Sequence, residues 1–333
     1  MINLKLSWNS SIILLTLLLI LQGSCKKDDN TPEPPVIKTS KIFSLSSYAV
    51  TIRSVIKNDE RSKITSQGIC WSLMPNPTVN NNNYTVGDLK DSILFCRIEG
   101  LTTNTKYYAR ALATSTEGTG YGDEIEFTTN NTIMDIDGNV YNTVSLGTQV
   151  WIVENLKTTK YNDGSDISII NTGWAGLETP GYCWYEFSVA NKNKYGALYN
   201  WPSLDSKKLC PTGWHVPTNS EWIALFDYLG GEDNAGSFLK AVGDNWDTPN
   251  SGATNYSGFC ALPGGASSAT SGYFKLKEVQ GIWWSSTIDY SFDVDQGMII
   301  IQTMFYNSSI IVSGGFLSKG GPINFLSVRC IKD

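Results

Sequence analysis

One stretch constrains this chain more than any other: Cys210-Pro-Thr-Gly-Trp-His-Val-Pro-Thr-Asn-Ser-Glu-Trp-Ile-Ala-Leu-Phe-Asp-Tyr-Leu-Gly-Gly231. It specifies a helix completely. Pro217 ends the preceding extended segment, and the Thr218 hydroxyl caps the first turn. Glu221 follows three residues later, so its carboxylate reaches back to the Thr218 N–H in a capping box. Trp222, Leu225, Phe226 and Leu229 fall at i, i+3, i+4 and i+7, one apolar stripe. Gly230 and Gly231 stop the helix, since glycine takes the left-handed turn that frees the last carbonyls. Burying each of the four stripe side chains contributes roughly 1.5–3 kcal/mol before entropy is subtracted. The helix is therefore a core element, and strands must supply its partner surface.

A chain of 333 residues exceeds one ordinary core and predicts two domains. Charged residues are only 17% and aromatics 12%, a balance that points to compact, β-rich, turn-rich domains rather than disorder. The net charge of −6, with no basic stripe, excludes a nucleic-acid footprint. At the start, Lys5 precedes an apolar run from Ile12 to Leu21, the length of a signal-peptide core and too short for a permanent span. Leu21-Gln-Gly-Ser-Cys25 then resembles the lipobox of bacterial lipoproteins, with Gln22 where that family carries an aliphatic residue. The resemblance implies a signal peptide over 1–24 and a lipidated Cys25. Lys26-Lys-Asp-Asp29 resembles the acidic export tag of Bacteroidetes-type lipoproteins, which implies the outer membrane and the cell surface. Proline stiffens the rest of a linker over 25–35. No later apolar run reaches spanning length, so anchoring rather than embedding is expected.

Residues 36–130 alternate with period two: Ala49 to Ile56, Ile64 to Leu73, Ser92 to Ile98, Lys106 to Thr114 and Glu124 to Thr128. Turn residues separate the runs and no helical stripe appears, which predicts an all-β sandwich. Gly100-Leu-Thr-Thr-Asn-Thr-Lys-Tyr-Tyr-Ala-Arg-Ala111 resembles the start of strand F in fibronectin type III domains, where a tyrosine such as Tyr107 holds the corner before it. Gly118 to Thr129 resembles that family's last turn and strand. A module of this kind is most often a spacer.

Residues 131–333 open on Asp135-Ile-Asp-Gly-Asn139, whose Asp137-Gly138 is a hairpin-type turn. The Asp135, Asp137, Asn139 spacing also mimics the start of a calcium loop, but the twelfth position is Leu146 rather than a bidentate acid, so a turn is favoured. Six motifs follow in order: Gly147-Thr-Gln-Val-Trp-Ile-Val-Glu-Asn-Leu-Lys157, Tyr195-Gly-Ala-Leu-Tyr-Asn-Trp201, Cys210 to Thr218, Ala261-Leu-Pro-Gly-Gly265, Trp283-Trp-Ser-Ser-Thr287 and Ser327-Val-Arg-Cys330. Together they resemble the Fibrobacter succinogenes major paralogous domain, a family of exported bacterial proteins placed near the C-type lectin-like fold. The fold expected is thus multidomain, a fibronectin III-like sandwich followed by an α+β C-type lectin-like domain. A second short helix is predicted over Asp233 to Val242, capped by Asp233 or Asn234. Strands are predicted at Ile282 to Ser286, Met298 to Tyr306, Ser309 to Val312 and Phe325 to Ile331.

Six cysteines remain beside Cys25, an even number that permits disulfides in an exported chain, and none shows the short paired spacing of a zinc site. In the lectin-like fold a cysteine before the first helix is commonly bridged to one in the last strand. Cys210 and Cys330 hold those positions, and closing that loop stabilises by roughly 4–5 kcal/mol in the chain-entropy model. Cys183 and Cys260 form the residual pair. Cys70 and Cys96 either pair or stay buried as thiols.

Catalytic signals are sparse. His215 is the single histidine and is expected to be a packed structural residue. His215 to Trp222 is similar to the helix-opening motif of the formylglycine-generating enzymes, but Cys260 and Cys330 stand outside that family's reactive-cysteine motifs, so its activity is not carried over. No Ser–His–Asp arrangement or phosphate-cradling glycine loop is present, and no cofactor is expected. Paired carboxylates for glycoside cleavage are a three-dimensional matter. Trp174, Trp184, Trp201, Trp246, Trp283 and Trp284 invite sugar stacking, although most tryptophans fill cores. Trp246, flanked by Asp244-Asn245 and Asp247, is the preferred exposed ligand contact. The function expected is a surface lipoprotein displaying a lectin-like binding or adhesion domain for a carbohydrate or cell-surface partner. The alternatives are an exported enzyme acting on polysaccharide, or a purely structural surface protein.

Overall fold

The structure, a computed structural model, describes residues 32–58, 63–80, 83–172, 177, 179–267, 273–291, 297–317 and 325–333. The signal segment, Cys25, the acidic tag and most of the linker lie outside the described residues. Eight strands come first: β1 (Val36–Ser46), β2 (Val50–Lys57), β3 (Ile64–Ser72), β4 (Asn83–Val86), β5 (Asp88–Lys90), β6 (Ile93–Ile98), β7 (Lys106–Ser115) and β8 (Gly118–Thr128). They build two facing layers, β1-β2-β6-β5 and β4-β3-β7-β8. Period two explains the layering: along β6, Leu94, Cys96 and Ile98 are buried in the sandwich while Phe95 and Arg97 face the other way. Before β7, the Tyr107 hydroxyl accepts the Thr102 N–H at 3.0 Å, which fixes the corner.

Strand β1 has no period-two signal in the sequence because two register shifts, at Ile37/Thr39 and Ile42/Ser44, interrupt its alternation. The Cys70 and Cys96 thiols stay free, donating instead to the carbonyls of Pro77 (3.2 Å) and Thr85 (3.3 Å), and burial pushes the Cys96 thiol up to about 12.

The following segment holds β9 (Ile133–Met134), β10 (Val140–Tyr141), β11 (Thr143–Leu146), β12 (Gln149–Ile152), β13 (Ser168–Ile169) and β14 (Gly181–Cys183). Next come α1 (Lys192–Tyr195), β15 (Leu198–Tyr199), α2 (Trp201–Asp205), β16 (Trp214–His215), α3 (Asn219–Tyr228) and α4 (Glu232–Leu239). The last elements are β17 (Ala266–Ser267), β18 (Phe274–Lys275), β19 (Gln280–Asp289), β20 (Met298–Phe305), β21 (Ile311–Leu317) and β22 (Ile331–Lys332). Helix α3 forms with the capping box in place, Thr218 Oγ1 accepting from Glu221 N and Glu221 accepting from Thr218 N. Its stripe of Trp222, Leu225, Phe226 and Leu229 joins Trp151, Phe259 and Trp283 in one core, roofing the β19-β20-β21 sheet.

Three expectations need correction. Helix α4 starts after Gly231 at φ 91°, a conformation glycine adopts freely, so neither Asp233 nor Asn234 caps it. It ends at Leu239 because Lys240 turns extended and drives its ammonium inward onto the carbonyls of Ser251, Phe305, Tyr306 and Ser308. The expected strand over Phe325 to Ile331 is only a ladder at Ile331–Lys332, since Phe325, Leu326 and Ser327 bridge three separate partners, Ser267, Tyr199 and Trp283.

The Cys210–Cys330 bridge is formed, with Cα atoms 6.0 Å apart across 120 residues. Cys183 and Cys260 are not joined: Cys183 packs with Tyr185, Leu198 and Phe325, while Cys260 lies in another part of the fold.

Residues on the two sides of position 130 share one compact unit, Glu33–Asp333. One sheet runs β16-β22-β12-β11-β1-β2-β6-β5, because β1 pairs with β2 along one edge and with β11 along the other, Leu45 opposite Ser145. The outer face of that sheet packs on α3 and on the loop after α4: Phe43 stacks on Tyr228 at 5.7 Å, and Phe95 stacks on Tyr256 at 5.1 Å. Tyr228 donates its hydroxyl to the Phe43 carbonyl at 2.6 Å. A mere spacer needs no such contact.

Shared core and shared sheet make unfolding cooperative. Scanning calorimetry of the full chain is expected to give one transition, and Phe95→Ala to lower stability by about 3 kcal/mol while keeping it single. Two resolved transitions would contradict the shared sheet.

Candidate functional site

Residues of four of the six sequence motifs meet in one buried network, and the Cys210–Cys330 bridge ties a fifth motif to it. Asn155, just beyond β12, donates through Nδ2 to the Tyr195 carbonyl (2.9 Å) and Ser327 Oγ (3.3 Å). Its Oδ1 accepts Trp283 Nε1 (2.9 Å) and Arg329 Nε (2.8 Å). The fully buried Arg329 guanidinium also donates to the carbonyls of Ile152, Val153, Phe259 and Cys260, and lies 4.5 Å from the Phe259 ring centroid. Burial lowers its pKa to about 10, so it stays charged at neutral pH. Gly196 is required beside this network: it sits at φ 75°, and a Cβ there would stand 2.7 Å from Asn155 Cβ. Each polar side-chain atom of Asn155 and of the Arg329 guanidinium has a partner within the chain, so these residues hold the scaffold.

The sequence-predicted site residues separate in the same way. Trp246 is buried, only 3% exposed, and is corrected from ligand contact to core anchor. Its Nε1 donates to the Ala261 carbonyl at 3.0 Å and the Lys240 ammonium lies 5.6 Å from its ring, while the flanking acidic residues remain at the surface. Trp184, Trp283 and Trp284 are buried, Trp201 packs edge-on to Trp284 at 5.9 Å, and Trp174 lies outside the described residues. Asp135 spends its oxygens on Asn139 and the Tyr141 hydroxyl, and Asp137 on Thr158 and Thr159. Among the described residues, no group of three or more His, Cys, Asp or Glu side chains is placed to hold a metal ion.

His215 is neither free nor buried. Its Nδ1 lies 2.7 Å from Asp333 Oδ1 and its Nε2 2.9 Å from Glu221 Oε1, whose other oxygen closes the capping box. One imidazole thus ties the start of α3 to the residue after β22.

An open cleft of about 310 Å³ lies on the other side of these strands. Register creates its floor. Trp214 pairs with Lys332, Trp151 with Ile331, which sets Val150 opposite Lys332, and Val150 with Ser145. Trp214, Lys332, Val150 and Ser145 therefore form a row across β16, β22, β12 and β11 on one face of the sheet. The connection out of the sandwich makes the wall: Asn130 Nδ2 donates to the Leu45 carbonyl and Ser145 Oγ, both at 3.0 Å, and Thr143 Oγ1 donates to the Asn131 carbonyl at 2.7 Å. Trp214 is partly buried against the core and also lines the cleft, and Lys332 and Asn131, which also line it, are exposed. The cleft offers an aromatic ring, an ammonium, hydroxyls and an amide. Lys332 is the one titratable group among its described lining residues, so binding groups dominate over acid–base groups. Sequence reasoning missed this cleft because its row is assembled from four strands.

Burial alone lowers the His215 pKa, but the hydrogen bonds and charges of Asp333 and Glu221 outweigh it and raise the pKa above its ordinary value. A raised folded pKa stabilises below the unfolded value near about 6.5, and that contribution is lost as pH rises through the folded value. The thermal midpoint of the wild type is expected to exceed that of His215→Gln at about pH 6, and the gap to shrink toward about pH 9. A gap independent of pH would refute the charged tie. Asn155→Ala strands two buried donors, Trp283 Nε1 and Arg329 Nε, and is expected to cost about 3 kcal/mol or more in urea unfolding.

The Fibrobacter succinogenes major domain family matches residues 144–332, more than half of the chain. No curated protein matches. Among solved structures, the twitchin kinase region from C. elegans (Fn31-NL-kin-CRD-Ig26) is similar over 57% of this chain at 12% sequence identity and a TM-score of 0.23. The match spans 32% of that structure, about a third of its length. The family match covers β11 to β22 and with them the Asn155–Arg329 network, the Cys210–Cys330 bridge and the floor of the cleft. The chain belongs to the Fibrobacter succinogenes major domain family.

Proposed function

We propose that this protein is a lipid-anchored outer-membrane protein of the cell surface that binds carbohydrate in the cleft between its sandwich and its C-terminal part. One observation carries the binding reading: the cleft brings Trp214 together with Lys332, Ser145 and Asn131, an aromatic residue among polar ones. Sugars offer C–H faces that stack on indole and hydroxyls that need hydrogen-bonding partners, and these residues supply both. The C-type lectin-like assignment of the C-terminal part is supported by the covalent tie from the segment before α3 to Cys330, and by the pairing of β12 with β22. The fibronectin III-like assignment is supported by the β1-β2-β6-β5 and β4-β3-β7-β8 layers and by the Tyr107 hydroxyl at its corner. The lipobox-like Leu21 to Cys25 supports the anchor. Among the described residues no helix is long and apolar enough to cross a membrane.

A glycan array probed with the full chain, run beside a hydrolysis screen, tests the reading. Binding without product release is expected, with Trp214→Ala weakening it at least about tenfold, a typical loss for one base- or sugar-sized stacking partner. Product release would favour the enzyme alternative instead. Metabolic labelling with a radioactive fatty acid is expected to mark the wild type and to fail in Cys25→Ser; equal labelling of both would refute the anchor.

A further inference from the structure

The cleft has a charge preference as well as a shape. Lys332 is the one charged residue among its described lining residues, in a chain whose net charge is −6. No carboxylate of the described residues pairs with its ammonium. The neighbouring Asp333 is turned to His215 at 2.7 Å, and Glu221 is held by His215 and Thr218. Lys332 is thus the one charge the described lining of the cleft presents, in a chain of net charge −6.

The backbone that carries Lys332 is held on both sides. Two residues before it, Cys330 is bonded to Cys210. Its own backbone pairs with Trp214, the next residue's N–H donates to the Gly213 carbonyl at 3.1 Å, and Asp333 is clasped by His215. A short strand pair is thus fixed by a covalent bond, a ladder and an ion pair, with an indole and an ammonium side by side on its cleft face. The fixed backbone sets the spacing of the two residues, so binding need not order the strand pair.

We infer that the ligand is an acidic saccharide, whose ring stacks on Trp214 while its carboxylate or sulfate pairs with Lys332. This rests on the carbohydrate reading of the cleft. The anion supplies what Lys332 lacks, a charge-assisted hydrogen-bond acceptor, and neighbouring sugar hydroxyls meet Ser145 and Asn131.

Isothermal titration of the full chain with uronic-acid oligomers, sulfated oligosaccharides and their neutral counterparts tests this. Acidic ligands are expected to bind roughly five- to tenfold tighter than neutral ones. That preference should vanish in Lys332→Met, persist in Lys332→Arg, and decline as salt rises to about 0.5 M. Comparing the uronate and sulfate arms identifies the anionic group. The salt arm uses the wild type, so it holds even if a variant misfolds. Equal binding of neutral and acidic oligomers that still depends on Trp214 would overturn the acidic preference and leave the carbohydrate reading standing. An acidic preference unchanged in Lys332→Met would overturn the role of Lys332. Binding of no saccharide of either kind would overturn both.

Discussion

The fold depends on a buried guanidinium. A charge without water is costly unless its donors are all met, and unpaired it destabilises strongly. Arg329 is met by four backbone carbonyls and by Asn155 Oδ1, drawn from residues 152, 153, 155, 259 and 260. Asn155 in turn reaches Tyr195, Trp283 and Ser327. Hydrophobic burial is non-directional and accepts many arrangements of the same side chains. These bonds are directional, so they select one arrangement of chain segments that lie far apart in sequence. That is why the recurring motif residues, so suggestive of a site, converge where no ligand can reach.

The same network positions the cleft at one remove. Strand β12 runs directly into residues whose carbonyls hold Arg329, and β22 begins two residues after it. Fixing Arg329 against Ile152 and Val153 therefore fixes the register of β12 on β22, which sets Val150 opposite Lys332. A slip of one residue would turn Lys332 into the core and Ile331 out of it, since side chains alternate across a strand. The Cys210–Cys330 bridge and the His215 tie then carry that register outward to Trp214.

What the sequence reveals depends on how local the cause is. Helix α3 was legible because its cap, stripe and stop all lie within about a dozen residues, and most sandwich strands because alternation is a local signal. Strand β1 was not, because bulges reset its phase. The extent of β16 and β22 was not, because each is defined by a pairing partner more than a hundred residues away. Trp246 was misjudged from its polar neighbours: they describe where the loop backbone runs, whereas the indole turned inward to a carbonyl and an ammonium. His215 was expected to be packed, and what holds it is a pair of carboxylates, one of them at Asp333, 118 residues away. The cleft was invisible for the same reason as β16 and β22, since register alone brings its row together.

The position of the cleft changes the role of the sandwich. Asn130 and Asn131 lead out of the sandwich, Asn130 Nδ2 donating to Leu45 and Ser145 and the Asn131 carbonyl accepting from Thr143, and with Thr129 they form one wall. Phe43 and Phe95 press the same sheet onto Tyr228, Phe238 and Tyr256 from the opposite face. The junction is therefore bonded along one face and stacked along the other, which leaves little freedom to hinge. A ligand that touches both wall and floor binds only the docked arrangement, and mass action then adds its binding free energy to the stability of the junction. The sandwich thus supplies one wall of the cleft and shares its sheet with the floor.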